Sequence, residues 1–456
     1  MRRPNPILAL VALLALGVSS QPSSFDLPAA SQDRQIRWPT KRIEVALSTS
    51  LTAPSPAIKP ESDVLGALRR ALASWSRAAD VTFVEVSSKA QSVSPTNGGD
   101  GVSLITIGST AENLELFGEG NTTARTRVFY DQDTGDISEA DVVINPIPFS
   151  AEGEPLQFST DGTPGTYDLE STFAHEIGHL LGLSHSHVIG ATMQAFQALN
   201  GTYGLPATTE RALSQADVTA LRSLYGTREK VGSIEGRIQN SIDGNLVSAT
   251  AAHVWIEDLA DGRVVASCLT TAGGRFNITG VPPGNYKAMV EYLDMQPGNS
   301  TALSGATDRK PARQRAFRSV EITSRLRVVP DKTTPLNYVL VPPQNSPPAL
   351  NPRFLGINGE LSTVPVPAAA GEKLTLYIAG SGVDLIPGSG FVLSSPFMTV
   401  DPASLTLQQF HGSTPVISFE VSVAPNAPAG DYTIRLQANS GELAFLVGCI
   451  KINPSN

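Results

Sequence analysis

Four of the chain's six histidines fall within thirteen positions, in the stretch FAHEIGHLLGLSHSHVIGATM from Phe173 to Met193. His175 and His179 stand four residues apart, so on a helix they share one face, one turn above the other. Phe173, Ile177, Leu180 and Leu181 supply the same helix with an apolar face for a core. Two imidazoles on one turn can grip a single zinc ion and leave room for water and a third ligand. Glu176 sits beside the first ligand, where its carboxylate can face that water without ligating the metal. Gly182 lacks a Cβ, so it can leave helical geometry and turn the chain until the His185 imidazole returns toward the same ion. His187 is expected to be a solvent-exposed bystander. The bland alternative is an exposed helix face; the placing of Gly182 and His185 argues against it.

The stretch sits in a region with mixed periodicities. RIEVALSTS, VTFVEVSS and GVSLITIGS read as strands, and Val64, Leu65, Leu68, Leu72 and Trp75 form the apolar face of a helix. TRVFYDQDTGDISEADVVINP reads as two strands around an Asp/Gly-rich turn, and LSQADVTALRSLYG as a closing amphipathic helix stopped by Gly226. The region, residues 37–228, is expected to be an α+β domain. Beyond it the helical pattern disappears. Short alternating strands with Gly, Asn and Pro turns predict one β-sandwich over residues 231–341 and another over 353–456, with a Pro-rich linker at 342–352. Trp255 and Tyr286 are expected as buried sandwich aromatics, with ligand contact as the alternative. The chain is thus expected to be multidomain and, in solution, monomeric.

Arg2 and Arg3 precede an apolar run from Ile7 to Leu16 and then small residues, the order of a secretory signal peptide over residues 1–20. The run is short for a retained membrane anchor. Residues 21–36 read as a polar leader or linker. A formal charge of −9 argues against nucleic acid as the partner. The two cysteines, Cys268 and Cys449, exclude a disulfide framework despite the expected export and read as partly buried free thiols. The sequons at Asn121, Asn200, Asn277 and Asn299 would matter only in a eukaryotic secretory pathway. Asp131, Asp133 and Asp136, together with Glu139 and Asp141, could offer oxygens to a calcium ion. A solvated turn centred on Thr134 and Gly135 is the commoner use of such residues.

HEIGHLLGLSH resembles the signature of the metzincin zinc peptidases, and Ser186 after the third histidine is the matrixin choice. Met193 stands where matrixins place a methionine turn beneath the metal. LSQADVTALRSLYG resembles the matrixin closing helix and IRWPTKRIEVAL the opening strand, so the resemblance covers about residues 36–228. It implies a twisted mixed sheet with a long zinc-binding helix, and an endopeptidase acting on protein or peptide substrates. It also implies that Ala140, Asp141, Val142, Val143, Ile144 and Asn145 form the edge strand that pairs with an extended substrate. Departures are informative. Gln194, Ala195 and Phe196 replace the usual primary-pocket residues after the methionine. Outside the cluster only His253 and His411 exist, too few for the second, structural zinc of the animal enzymes. The paired acids of the closing helix are Ala216 and Asp217 here. No propeptide cysteine precedes the domain; Asp26 is a candidate inhibitory residue, against the plainer reading of a polar leader.

The expected chemistry has one zinc ion held by His175, His179 and His185, water activated at neutral pH, and Glu176 as general base. Met193 would pack beneath the imidazoles. GSIEGRIQN through GGRFNITGVPPGNYKAMVEY resembles the carboxypeptidase regulatory-like fold, and the last region loosely resembles an immunoglobulin-like one. Either could bind a cell-surface or matrix glycan or protein, or act as a spacer. The competing expectation is an adhesion protein with a vestigial peptidase domain. Intact His175, Glu176, His179, Gly182, His185 and Met193 weigh against it.

Overall fold

The computed structural model describes residues 35–96, 98–117, 122–150, 153–227, 229–242, 244–293, 316–341, 348–408 and 414–454. The expected signal peptide, most of the leader including Asp26, Asn121, Asn299, His411 and most of the Pro-rich linker lie outside them. Among the described residues the chain is mostly strand with few helices. No helix there is long and apolar enough to cross a membrane.

The first layer is a five-stranded sheet of β1 (Arg42–Ser48), β2 (Thr82–Ser88), β3 (Leu104–Thr106), β4 (Ala124–Tyr130) and β5 (Ile137–Ile144), in the order β2-β1-β3-β5-β4. Its pairings are parallel except for β4 against β5. Helices α1 (Val64–Ala78), α2 (Ala111–Glu115), α3 (Leu169–Leu180) and α4 (Gln215–Tyr225) accompany it. Asp63 caps α1 through a hydrogen bond from Gly66 N. The α1 residues Leu68, Leu72 and Trp75 enter one core with Phe173, Ile177 and Leu180 of α3.

Two expectations about this sheet change. The strand expected at the edge, Ala140–Asn145, lies largely in β5, which is interior and paired by β3 on one side and β4 on the other. Ala140, Val142, Val143 and Ile144 are fully buried, and Asp141 accepts from Ser94 N and Leu104 N at 2.9 Å. Hydrophobic alternation cannot say which of two hairpin strands faces outward; β4 is the outer one. The aspartates of the hairpin turn are not among the described groups that could hold a metal ion, so calcium there has no support. Asp131 Oδ1 accepts from Asp133 N at 2.7 Å and Thr134 N at 2.8 Å, the local bonding of a turn.

Eight strands then form two sheets around a second core. One orders Val264–Leu269, His253–Asp258, Gly284–Glu291 and Val320–Val328. The other orders Arg275–Val281, Gly232–Ile242 and Thr333–Val341, with Asn245–Ser248 beside Gly232–Ile242. A further pair of four-stranded sheets occupies residues 351–452. Its first strand, Asn351–Gly356, includes two positions expected in the Pro-rich linker. Each sandwich contains a Pro-x-Gly-Asn/Asp-Tyr segment. Tyr286 Oη donates to Pro282 O at 2.6 Å and Tyr432 Oη to Pro428 O at 2.5 Å, a local repeat that whole-domain comparison of the sequence overlooks. Trp255 and Tyr286 are buried, and both cysteines are free thiols.

The last sandwich does not hang from the first domain by a spacer. Ile189, Ala198, Tyr203 and Ala207, from the segment between His185 and α4, belong to the sandwich's own apolar core. Tyr203 N donates to Glu360 Oε2 at 2.7 Å, and Ile189 N to Val447 O at 2.8 Å. Lys451 Nζ donates to Gly190 O at 2.6 Å and Ala212 O at 2.8 Å, with Asp431 Oδ1 3.7 Å away. Gly190 admits no side chain, since a Cβ would lie 2.2 Å from Asp431 Oδ1.

Removing one partner of a buried ion pair strands the other. Lys451→Met is therefore expected to destabilise the full chain by about 3–5 kcal/mol, read as a lowered denaturation midpoint. Glu257 provides a pH test. It accepts from Trp255 Nε1 at 3.0 Å, and burial raises its carboxyl to about 7. A raised folded-state value means stability is fullest below the unfolded value and is lost as pH climbs through 7. Glu257→Gln should thus gain about 3 kcal/mol on the wild type between pH 4 and 8, measured as the difference in unfolding free energy at each pH.

Candidate metal centre

Helix α3 is gripped at both ends. Asp168 caps it by accepting from Ser171 N at 2.8 Å, and Arg211 braces that buried carboxylate at 2.5 Å. At the other end Trp38 Nε1 donates to Leu180 O at 2.8 Å and Tyr225 Oη to Leu181 O at 2.7 Å. These side chains take up carbonyls that a helix end leaves open. Gly182 then turns the chain with φ +90°, and a Cβ there would sit 2.2 Å from Ile36 O. Only glycine meets both conditions.

The turn brings three imidazoles together. His179 Nε2 lies 3.0 Å from His175 Nε2 and 3.2 Å from His185 Nε2. His175 Nδ1 faces Thr192 O and His179 Nδ1 faces Leu183 O, each at 2.8 Å. A carbonyl only accepts, so in both rings Nδ1 carries the hydrogen and Nε2 presents its lone pair inward. Tetrahedral zinc with bonds of about 2.0–2.1 Å separates its ligand nitrogens by about 3.3 Å, close to the observed spacing. Burial lowers His175 to about 3 and His179 well below its usual value, keeping both neutral as ligation requires. Among the described residues this is the one group of three candidate ligand atoms within 4.8 Å. The donors fit zinc.

Glu176 is buried beside this cluster, and Thr126 Oγ1 of β4 donates to its Oε2 at 2.5 Å. Burial raises its carboxyl to about 7, while the Thr126 bond opposes the rise. The carboxylate is thus held at one oxygen and tuned toward neutral pH. Thr126 is invisible from the sequence, being fifty residues away on another element.

Met193 is buried with its thioether against the helix. A Cβ on Gly178 would come within 2.2 Å of Met193 Sδ and 2.9 Å of Trp75 Cζ2. The glycine between the first two histidines is therefore a clearance residue. Asp217 holds the turn from behind: its carboxylate accepts from Thr192 N at 2.8 Å and Met193 N at 3.3 Å. It also completes a capping box with Ser214 at the start of α4. The single carboxylate left in the closing helix thus orients the methionine turn; the Ser-x-x-Asp spacing signals the capping box but not this contact.

His187 differs from expectation. It is 6% exposed, and its ring centroid lies 5.5 Å from that of His253. The chain after His185 runs inward, because Val188 and Ala191 pack with Trp255 and Val447 where the two sandwiches meet the first domain. Asn200 is likewise buried, its amide donating toward Ser159 and Thr166 hydroxyls, so that sequon offers no exposed acceptor.

Helix, convergent imidazoles, adjacent carboxylate and methionine turn together make a group that could hold a metal ion. Residues 112–226 match the family model described as Matrixin. A matrixin domain therefore occupies this part of the chain. The chain is 27% identical over 186 residues to Metalloendoproteinase 1 of Glycine max, covering 39% of this chain and 51% of that protein. It is 39% identical over 77 residues to Metalloendoproteinase 4-MMP of Arabidopsis thaliana, covering 17% of this chain and 20% of that one. The chain thus spans about half the length of the first relative and a fifth of the second. Among solved structures, the major pilin subunit BcpA of Bacillus cereus is similar at 12% identity over 47% of this chain and 67% of that one. Its TM-score is 0.15, too low to carry an argument.

Gly178→Ala should force Met193 and Trp75 apart and cost about 1–3 kcal/mol. It should also speed zinc loss to a chelator, followed by metal analysis after timed dialysis.

Proposed function

We propose that the chain is a secreted zinc endopeptidase. Its peptidase domain spans residues 37–228, and its non-catalytic β-sandwiches span 231–341 and 353–456. The observation that carries this reading is the convergence of the His175, His179 and His185 Nε2 atoms beside the buried Glu176 carboxylate. The names of the two plant relatives support it. Zinc held by the three histidines would supply Lewis acidity, bringing water's pKa toward about 7 and polarising the scissile carbonyl. Glu176 accepts the proton of the attacking water and delivers it to the leaving amine nitrogen. Thr126 keeps the carboxylate aimed while it does so. Thr192 and Leu183 hold the imidazoles in the tautomer that ligates. Met193 does not touch substrate. An extended peptide would pair with β4, the outer strand beside Glu176, whose unpaired main chain offers the hydrogen bonds that interior β5 cannot. Residues 1–20 would direct export.

The purified full chain is expected to bind one zinc ion and to cleave casein or gelatin. Glu176→Ala should keep the zinc and lose about 10²–10⁴ in kcat/KM, whereas His179→Ala should lose the metal itself. Zinc-loaded wild-type protein that cleaves nothing across a broad peptide library would sink the proposal.

A further inference from the structure

Beside the three imidazoles a narrow cleft opens, lined in part by His175, Glu176, Gln194, Phe196 and Glu210. Gln194 to Phe196 are the residues that depart from the family's usual pocket. Glu210 is 5% exposed, and the donors that act on its carboxylate, its own backbone N–H and the Thr209 hydroxyl, are uncharged and lie outside hydrogen-bond distance among the described residues. Gln194 Nε2 has no hydrogen-bond partner among the described residues, while Gln194 Oε1 accepts from Phe196 N at 2.6 Å and so fixes the amide's orientation.

The neighbouring cations do not answer Glu210. Arg211 is bound to Asp168 at 2.5 Å and approaches Glu170 at 3.8 Å. Lys451 donates to two backbone carbonyls and faces Asp431. Burial raises the Glu210 carboxyl to about 7, outweighing its own backbone N–H, the Lys451 charge and the Thr209 hydroxyl, all of which lower it. The backbone around Glu210 is fixed, since Glu210 O accepts from Thr192 Oγ1 at 3.0 Å, one residue from the methionine turn. A buried carboxylate left unpaired is costly. An apolar substrate side chain would seal it from water and increase that cost. A guanidinium offers five donors in a fork and an ammonium three, and either would supply the missing partner and the missing charge.

We propose that this pocket takes a basic substrate side chain, lysine or arginine, against the Glu210 carboxylate. The substrates are then peptides with a basic residue beside the scissile bond. This specificity rests on the peptidase reading above, but the pocket can be tested without turnover. The zinc-loaded full chain is titrated calorimetrically with Arg-Ala-Gly-amide, Lys-Ala-Gly-amide, Leu-Ala-Gly-amide and Gln-Ala-Gly-amide, and the same peptides are offered to Glu210→Gln. The arginine and lysine peptides are expected to bind the wild type at least tenfold more tightly than the leucine peptide, and Glu210→Gln to erase that difference. Leucine or glutamine binding as tightly as arginine to the wild type would overturn the proposal, whatever the variant does. The basic preference in a protein that cleaves no library peptide would uphold the pocket and remove the peptidase reading. Cleavage with a leucine preference would do the reverse.

Discussion

The hydrogen bond between His175 Nδ1 and Thr192 O joins the two parts of the metal centre that the chain supplies separately. It fixes one ligand's tautomer, and it ties helix α3 to the methionine turn. Thr192 and Met193 are held in turn by Asp217, which opens α4, and α4 returns to the end of α3 through Tyr225 and the Leu181 carbonyl. The restraints form a closed ring. Each such bond contributes only about 1 kcal/mol net, but a buried ring has no free end from which to loosen, and its members polarise one another.

Four of the buried carboxylates in the first domain and the sandwiches are treated in four ways. Asp431 faces Lys451, Glu257 accepts from an indole, and Glu176 accepts from the Thr126 hydroxyl. Glu210 has none of these. The first arrangement holds domains together and the second sits among strands of a sandwich. The third leaves the other oxygen of Glu176 without that hydroxyl while limiting how far burial can raise its pKa. Glu210, with no opposite charge against it, is the remaining case, and it lines the cleft beside the three imidazoles.

Much of the metal centre was legible because helix pitch converts a spacing of four into a shared face, and because a glycine at the helix end has few other uses. The strands of the first sheet were legible from alternation, as was α1 from its apolar face. Strand order was not. Alternation reports which side of a strand is apolar and not which strand lies outermost, so it does not distinguish β4, the outer strand, from interior β5. The burial of His187 was hidden for a related reason. It depends on Val447 and Trp255, far along the chain, and local pattern carries no trace of partners at that distance. Thr126, Gly178 and Glu210 share this character. Their roles arise only when separate segments meet.

The segment from Gly182 to Ser214 explains why the last sandwich packs where it does. About thirty residues pass with only short 3₁₀ turns at Thr202–Gly204 and Thr209–Arg211. So long an irregular stretch rarely stabilises itself, and here it carries the third histidine, the methionine turn and the wall of the cleft. Its apolar side chains find their core in the sandwich instead, and its Gly190 and Ala212 carbonyls find Lys451. Partly buried Phe196, in the cleft wall, packs against that same core. The sandwich therefore pre-orders the cleft before any ligand arrives, a cost that binding would otherwise have to meet. A module that supports the binding wall in this way is part of the site, whatever else its outer faces contact.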